Sequence, residues 1–162
     1  MTLTSTQIND YHRDGFVVLE SFFDPTIIAD VDEVIERITC ESIASGNTDG
    51  VMELEPQQDG DLPRPRRILN PFEQDETFRR MITCDRLLDS IESLIGPDIE
   101  LQYSKLNFKP ARVGSPVEWH QDLAYYPHTN DSLVTVLMYI DNATEQNGCL
   151  RVLPRHHHHY LQ

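Results

Sequence analysis

Apolar residues fall at helical spacing up to about residue 97, and from Asp98 they begin to alternate. The stretch "DPTIIADVDEVIERITCESIASG" carries the clearest pattern. Its Ile27, Ile28, Val31, Val34, Ile35 and Ile38 line one stripe of a helix. Asp24 is placed as the cap, Pro25 at the first helical position and Gly46 at the end. "TSTQINDYHRDG" predicts a shorter helix stopped by Gly15, and "FVVLE" a brief strand behind it. Residues 46–65 hold Gly46, Gly50, Gly60 and three prolines with little periodicity, which predicts a mobile loop or lid. "RRILNP" reads as a short strand. "DETFRRMI" and "DRLLDSIESLIGP" read as two further helices, the second ended by Gly96 and Pro97.

The alternating part begins with "IELQYSKLNF", rich in β-formers. "VEWH", "SLVTVLMYID" and "CLRVLP" follow, separated by the turn-rich "KPARVGSP" and "NATEQNG". Helices first and strands later predict an α+β fold with an antiparallel sheet. The expected organisation is one domain over 1–162, helical over 1–97 and β-rich over 98–162, with no internal repeat.

Composition narrows this picture without changing it. The 162 residues are 39% hydrophobic, enough for one real core. A net charge of −14 works against nucleic acid and anionic membrane surfaces, because phosphate neutralisation by Lys and Arg supplies most of that affinity. No apolar run approaches the roughly 20 residues a membrane helix needs. The opening "MTLTSTQINDYHRDG" has neither the basic nor the apolar part of a secretory signal. Cys40, Cys84 and Cys149 are odd in number and far apart, so reduced thiols in a cytoplasmic protein are expected.

The chemistry concentrates in "VEWHQDLAYYPH", Val117 to His128. His-x-Asp is weak evidence alone, since His12-Arg13-Asp14 repeats it at a helix end. The surroundings differ. His120 and Asp122 follow an extended segment, where residues two apart point to one face. Imidazole plus carboxylate is the donor set of the 2-His-1-carboxylate triad that holds Fe(II) and leaves open positions. A surface turn is the ordinary alternative.

Further pieces stand in order around the pair: "LNFKP" ahead of it, an aromatic and a proline after it, a hydrophobic strand, then "NGCLRVLP". With the opening "INDYHRDGFVVLESFFDPTII", the chain resembles the phytanoyl-CoA dioxygenase family of Fe(II)- and 2-oxoglutarate-dependent oxygenases. The resemblance implies N-terminal helices packed on a double-stranded β-helix of the jelly-roll or cupin kind, with eight strands. Asp98 onward supplies four or five, so that barrel is expected to be incomplete at the C-terminal side of this chain.

Carried over by position, His120 and Asp122 become two iron ligands and catalytic residues. The family's third ligand, a histidine, and the arginine that grips 2-oxoglutarate have no counterpart at matching distance. Where the family has "PGSH" this chain has "PRHHHH", and none of His156 to His159 is assigned to the metal. Lys105, Asn107 and Met138 stand where family members contact 2-oxoglutarate, and Arg67 in "RRILN" is a further candidate. Each has an ordinary alternative: an exposed strand lysine, a sheet-end hydrogen-bonding residue, plain core and a surface arginine. Trp119, Tyr125, Tyr126 and His128 flank the ligands as a substrate wall or as routine packing. Relatives that halogenate leave a small residue in place of Asp122, so a carboxylate implies hydroxylation. The implied activity uses Fe(II), 2-oxoglutarate and O₂, converts 2-oxoglutarate to succinate and hydroxylates a C–H bond of a small organic substrate. The competing readings are a catalytically inactive metal-binding or scaffold protein of the same fold and a cupin-like metal enzyme indifferent to 2-oxoglutarate.

Overall fold

Helix α1 (Ser5–Asp14) starts at a reciprocal cap, which satisfies two backbone donors that a helix start leaves open. The Gln7 N–H donates to the Thr4 hydroxyl at 3.2 Å, and the Thr4 N–H donates to the Gln7 side-chain oxygen at 2.9 Å. Gly15, at φ 88°, closes it in the left-handed region. The computed structural model describes residues 3–46, 48–56, 63–110, 116–126, 129–130 and 132–159.

Helix α2 (Pro25–Ser45) begins and ends at the residues its sequence marks. The Thr26 N–H donates to the Asp24 carboxylate at 2.8 Å, and Gly46 takes φ 64°. Val31 and Ile38 are buried and Val34 and Ile35 pack beside them, so the stripe faces inward from Val31 on, whereas Ile27 at its start is exposed. Strands β1 (Met52–Leu54), β2 (Pro65–Leu69) and β3 (Lys105–Asn107) form an antiparallel sheet in that order. The register sets Met52 against Ile68 and Ile68 against Leu106. Three short helices, α3 (Pro71–Gln74), α4 (Glu76–Ile82) and α5 (Asp85–Ile95), lie between β2 and β3.

The core gathers Val31 and Ile38 from α2, Met52 and Ile68 from the sheet, and Phe78 and Met81 from α4. Ile68 and Val31 are wholly buried. Each such side chain contributes about 1.5–3 kcal/mol relative to exposure. Asp75 ties two helices together: it caps α4 through the Thr77 N–H at 2.7 Å and receives Arg37 of α2 at 2.7 Å.

Four expectations need correction. The segment 46–65 is not a featureless loop, because Met52 finds a buried place opposite Ile68 and β1 forms there; residues 57–62 lie outside the described part. "FVVLE" forms no strand, and Val18 is exposed. α3 was not anticipated. Within the stretch expected to be β-rich, only Lys105–Asn107 joins a ladder among the described residues; "VEWH", Ser132–Asp141 and "CLRVLP" do not. A strand is completed by a neighbouring backbone about 4.8 Å away, and the sequence pattern records the tendency without the neighbour. Residues 137–140 still alternate: Met138 and Ile140 pack against the core while Leu137 and Tyr139 stay exposed.

Candidate metal centre

Residues 117–121 lead into a single 3₁₀ turn, Asp122–Ala124, so the carboxylate of the pair opens the bend. His120 Nε2 and Asp122 Oδ1 lie 3.3 Å apart. Two ligands about 2.1 Å from one ion and 3.3 Å from each other subtend roughly 100°, close to the right angle between neighbouring octahedral positions. The far atom of each side chain is held. His120 Nδ1–H donates to the Glu118 carbonyl at 2.7 Å, which directs the Nε2 lone pair toward Asp122. The Thr135 hydroxyl donates to Asp122 Oδ2 at 2.5 Å, which leaves Oδ1 facing the imidazole. Both side chains are about one-third exposed, so an ion between them is open to solvent and ligands on one side.

The donor chemistry therefore fits a divalent cation with open positions. Among the described residues, no group of three His, Cys, Asp or Glu side chains converges to hold a metal. His156 to His159 make a turn of their own, closed by the His159 N–H on the His156 carbonyl at 3.1 Å.

The remaining candidates fall into three places. Arg67 and Asn107 face each other across β2 and β3, with Arg67 Nε donating to the Asn107 side-chain oxygen at 3.1 Å. Arg67 also pairs with Glu53 of β1 at 3.5 Å. Lys105, two residues before Asn107, shares that outer face of the sheet and is exposed. Met138 instead lies against the core with Leu106 and Phe108. Tyr125 sets its ring edge-on to His120 at 5.3 Å, Tyr126 packs on Tyr103 at 6.1 Å, and Trp119 is largely exposed. His128 lies outside the described residues.

Sequence reasoning missed Thr135, Gln121 and the Glu118 carbonyl. Thr135 left a trace as the one aliphatic hydroxyl inside "LVTVLMYI". The backbone carbonyl left none.

The helix-and-sheet scaffold thus brings an imidazole and a carboxylate within 3.3 Å of each other. Residues 11–162 match the phytanoyl-CoA dioxygenase (PhyH) family, and the chain belongs to it. It is 32% identical over 151 residues to a probable alpha-ketoglutarate-dependent hypophosphite dioxygenase of Stutzerimonas stutzeri, covering 93% of this chain and 52% of that protein. It is 26% identical over 164 residues to an ectoine dioxygenase of Sphingopyxis alaskensis, covering 98% and 51%. The crystal structure of EctD from S. alaskensis with bound Fe superposes with a TM-score of 0.67 at 24% identity, over 76% of this chain and 42% of that one. The chain thus spans about half the length of the curated relatives it matches. No helix among the described residues is long and apolar enough to cross a membrane.

Proposed function

We propose that the protein is an Fe(II)- and 2-oxoglutarate-dependent dioxygenase that hydroxylates a C–H bond of a small organic substrate. The observation that carries this reading is the His120–Asp122 pair, converging at 3.3 Å with its outer atoms fixed, in a chain of this family. Bound Fe(II) would supply coordination positions where 2-oxoglutarate and O₂ meet and where oxidation to succinate and CO₂ is coupled to substrate hydroxylation.

This chain's residues have separate tasks in that scheme. His120 and Asp122 hold the ion from one side. Glu118 keeps the imidazole in the metal-binding tautomer, and Thr135 aims the carboxylate. Lys105 and Arg67, with Asn107 beside them, give the sheet a cationic outer face suited to a dicarboxylate, although Glu53 offsets part of the charge. Met138 supplies an apolar wall on the core side. Trp119, Tyr125 and Tyr126 give the aromatic surface against which a substrate would rest. Residues 1–162 act as one domain of a cytoplasmic enzyme. The fold is read as part of a double-stranded β-helix, in which segments 132–141 and 149–154, unpaired here, would become strands against a neighbouring backbone; the fold of the iron-bound neighbour and their exposed apolar side chains support this.

The relatives' names bring hypophosphite into consideration beside C–H substrates. The test measures succinate formed from 2-oxoglutarate with Fe(II) and O₂, using ectoine, free amino acids and hypophosphite as substrates. Succinate dependent on one of them, lost in His120→Ala together with the metal, is expected. Metal uptake with no succinate under any condition would instead establish the inactive metal-binding reading. Unchanged turnover in His120→Ala would end both.

A further inference from the structure

Gln121 sits between the two donors, and its neighbours' inward orientation sends its own side chain the opposite way. There its amide group donates to two carbonyls, His156 O at 3.0 Å and His159 O at 2.7 Å. The same 156–159 turn is fastened to the C-terminal end of α1, where a helix leaves carbonyls without internal partners. The Arg155 N–H donates to the Asp14 carbonyl at 2.8 Å, and His157 Nε2–H donates to the His12 carbonyl at 3.2 Å. Arg155 Nε reaches the Asp14 carboxylate at 3.3 Å.

Two backbone features show how closely this junction is built. Arg155 holds φ 67°, a left-handed conformation that a side chain adopts only at a cost. Gly15 lies directly under the His157 ring, and a methyl group added there would collide with it. The chain is therefore continuous from the end of α1, through the histidine turn and the Gln121 amide, to the donor pair.

We propose that Gln121 is a positioning residue, which fixes the angle between His120 and Asp122 against a platform held by the C-terminal end of helix α1. The inference rests on the metal-centre reading above and adds a coupling from residues 12–15 to the ion. Glutamine is suited to the place because an NH₂ group can serve two carbonyls at once. A glutamate of equal size would turn an oxygen toward both.

Co(II) is the probe, titrated into the full protein by calorimetry and by the visible absorption that reports its coordination geometry. Thermal melts of the metal-free variants register folding separately. Gln121→Glu and Gln121→Leu are expected to weaken Co(II) binding by about tenfold to a hundredfold and to shift its absorption bands. The glutamate result discriminates, because its added negative charge alone would tighten cation binding. Gly15→Ala is expected to weaken Co(II) in the wild-type background and to have little further effect in Gln121→Leu. Arg155→Gly, compatible with the left-handed backbone, serves the same cycle if Gly15→Ala does not fold. Wild-type affinity and bands in both Gln121 variants would overturn the proposal, as would an equal Gly15→Ala effect in both backgrounds. If His120→Ala binds Co(II) like the wild type, the metal-centre reading itself fails, and this inference with it.

Discussion

Residues 5–107 and 116–159 are two different kinds of structure in one chain. Among its described residues the first holds five helices, three strands and the core cluster of Val31, Ile38, Met52, Ile68, Phe78 and Met81. The second has one 3₁₀ turn among its described residues and leaves Val136, Leu137, Tyr139, Leu150, Val152 and Leu153 exposed. The difference lies in where backbone hydrogen bonds close. A helix closes them within itself, whereas an extended segment closes them on a neighbour. The first region therefore closes its helix and ladder hydrogen bonds within itself. The second takes its shape from a few attachments: Met138 and Ile140 on the core, Thr135 on Asp122, and Gln121 on the histidine turn. The His120–Asp122 pair, proposed above to hold the metal, belongs to the second region.

The largest expected effect is in the first region. Phe78→Ala removes a fully buried ring, and its cost should be about 3–5 kcal/mol in denaturant unfolding. An intermediate effect belongs to the second region. Thr135→Val keeps the size of the side chain but removes the donor to Asp122, so Co(II) affinity should fall by about tenfold with the melting temperature nearly unchanged. A large stability loss in that variant would show that the hydroxyl supports the fold and not the pair. Asp75→Ala, which strips the α4 cap and the Arg37 ion pair, should cost about 1 kcal/mol in the same unfolding measurement.

Acid sharpens the comparison from another side. Backbone N–H groups of Thr26 and Thr77 hold the Asp24 and Asp75 carboxyls below the usual aspartate range. Their support is complete above the unfolded value of about 4 and is lost as pH falls through the lowered folded values. Urea midpoints from pH 6 down to 2 should decline, and the decline should be shallower in Asp75→Asn. The smallest effect is expected at Leu153, half exposed in the second region, where Leu153→Ala should change stability by less than about 0.5 kcal/mol. A loss comparable to that of Phe78→Ala would mean that another surface covers this residue, and the contrast between the two regions would break.

Much of the first region was legible because its signals are local. Asp24, Pro25 and Gly46 bound α2, and Gly15 ends α1, where short-range geometry requires those residue types. β1 was not legible, since Met52 is strand only by virtue of Ile68, sixteen positions away in sequence. "SLVTVLMYID" was read as a hydrophobic strand, and the ladder that reading implies depends on a neighbouring backbone that a pattern cannot supply.

Sequence alone determined helices α1, α2, α4 and α5, the Asp24 cap and the glycine stops of α1 and α2, and the spacing of an imidazole and a carboxylate two residues apart. Only the tertiary structure decided that the Glu118 carbonyl and Thr135 turn those groups toward one point, and that Gln121 anchors them to a turn held by α1. The physical reason is range. Dihedral preference and capping act over a few residues, while the partners of Asp122 and Gln121 stand 13 to 38 positions away along the chain.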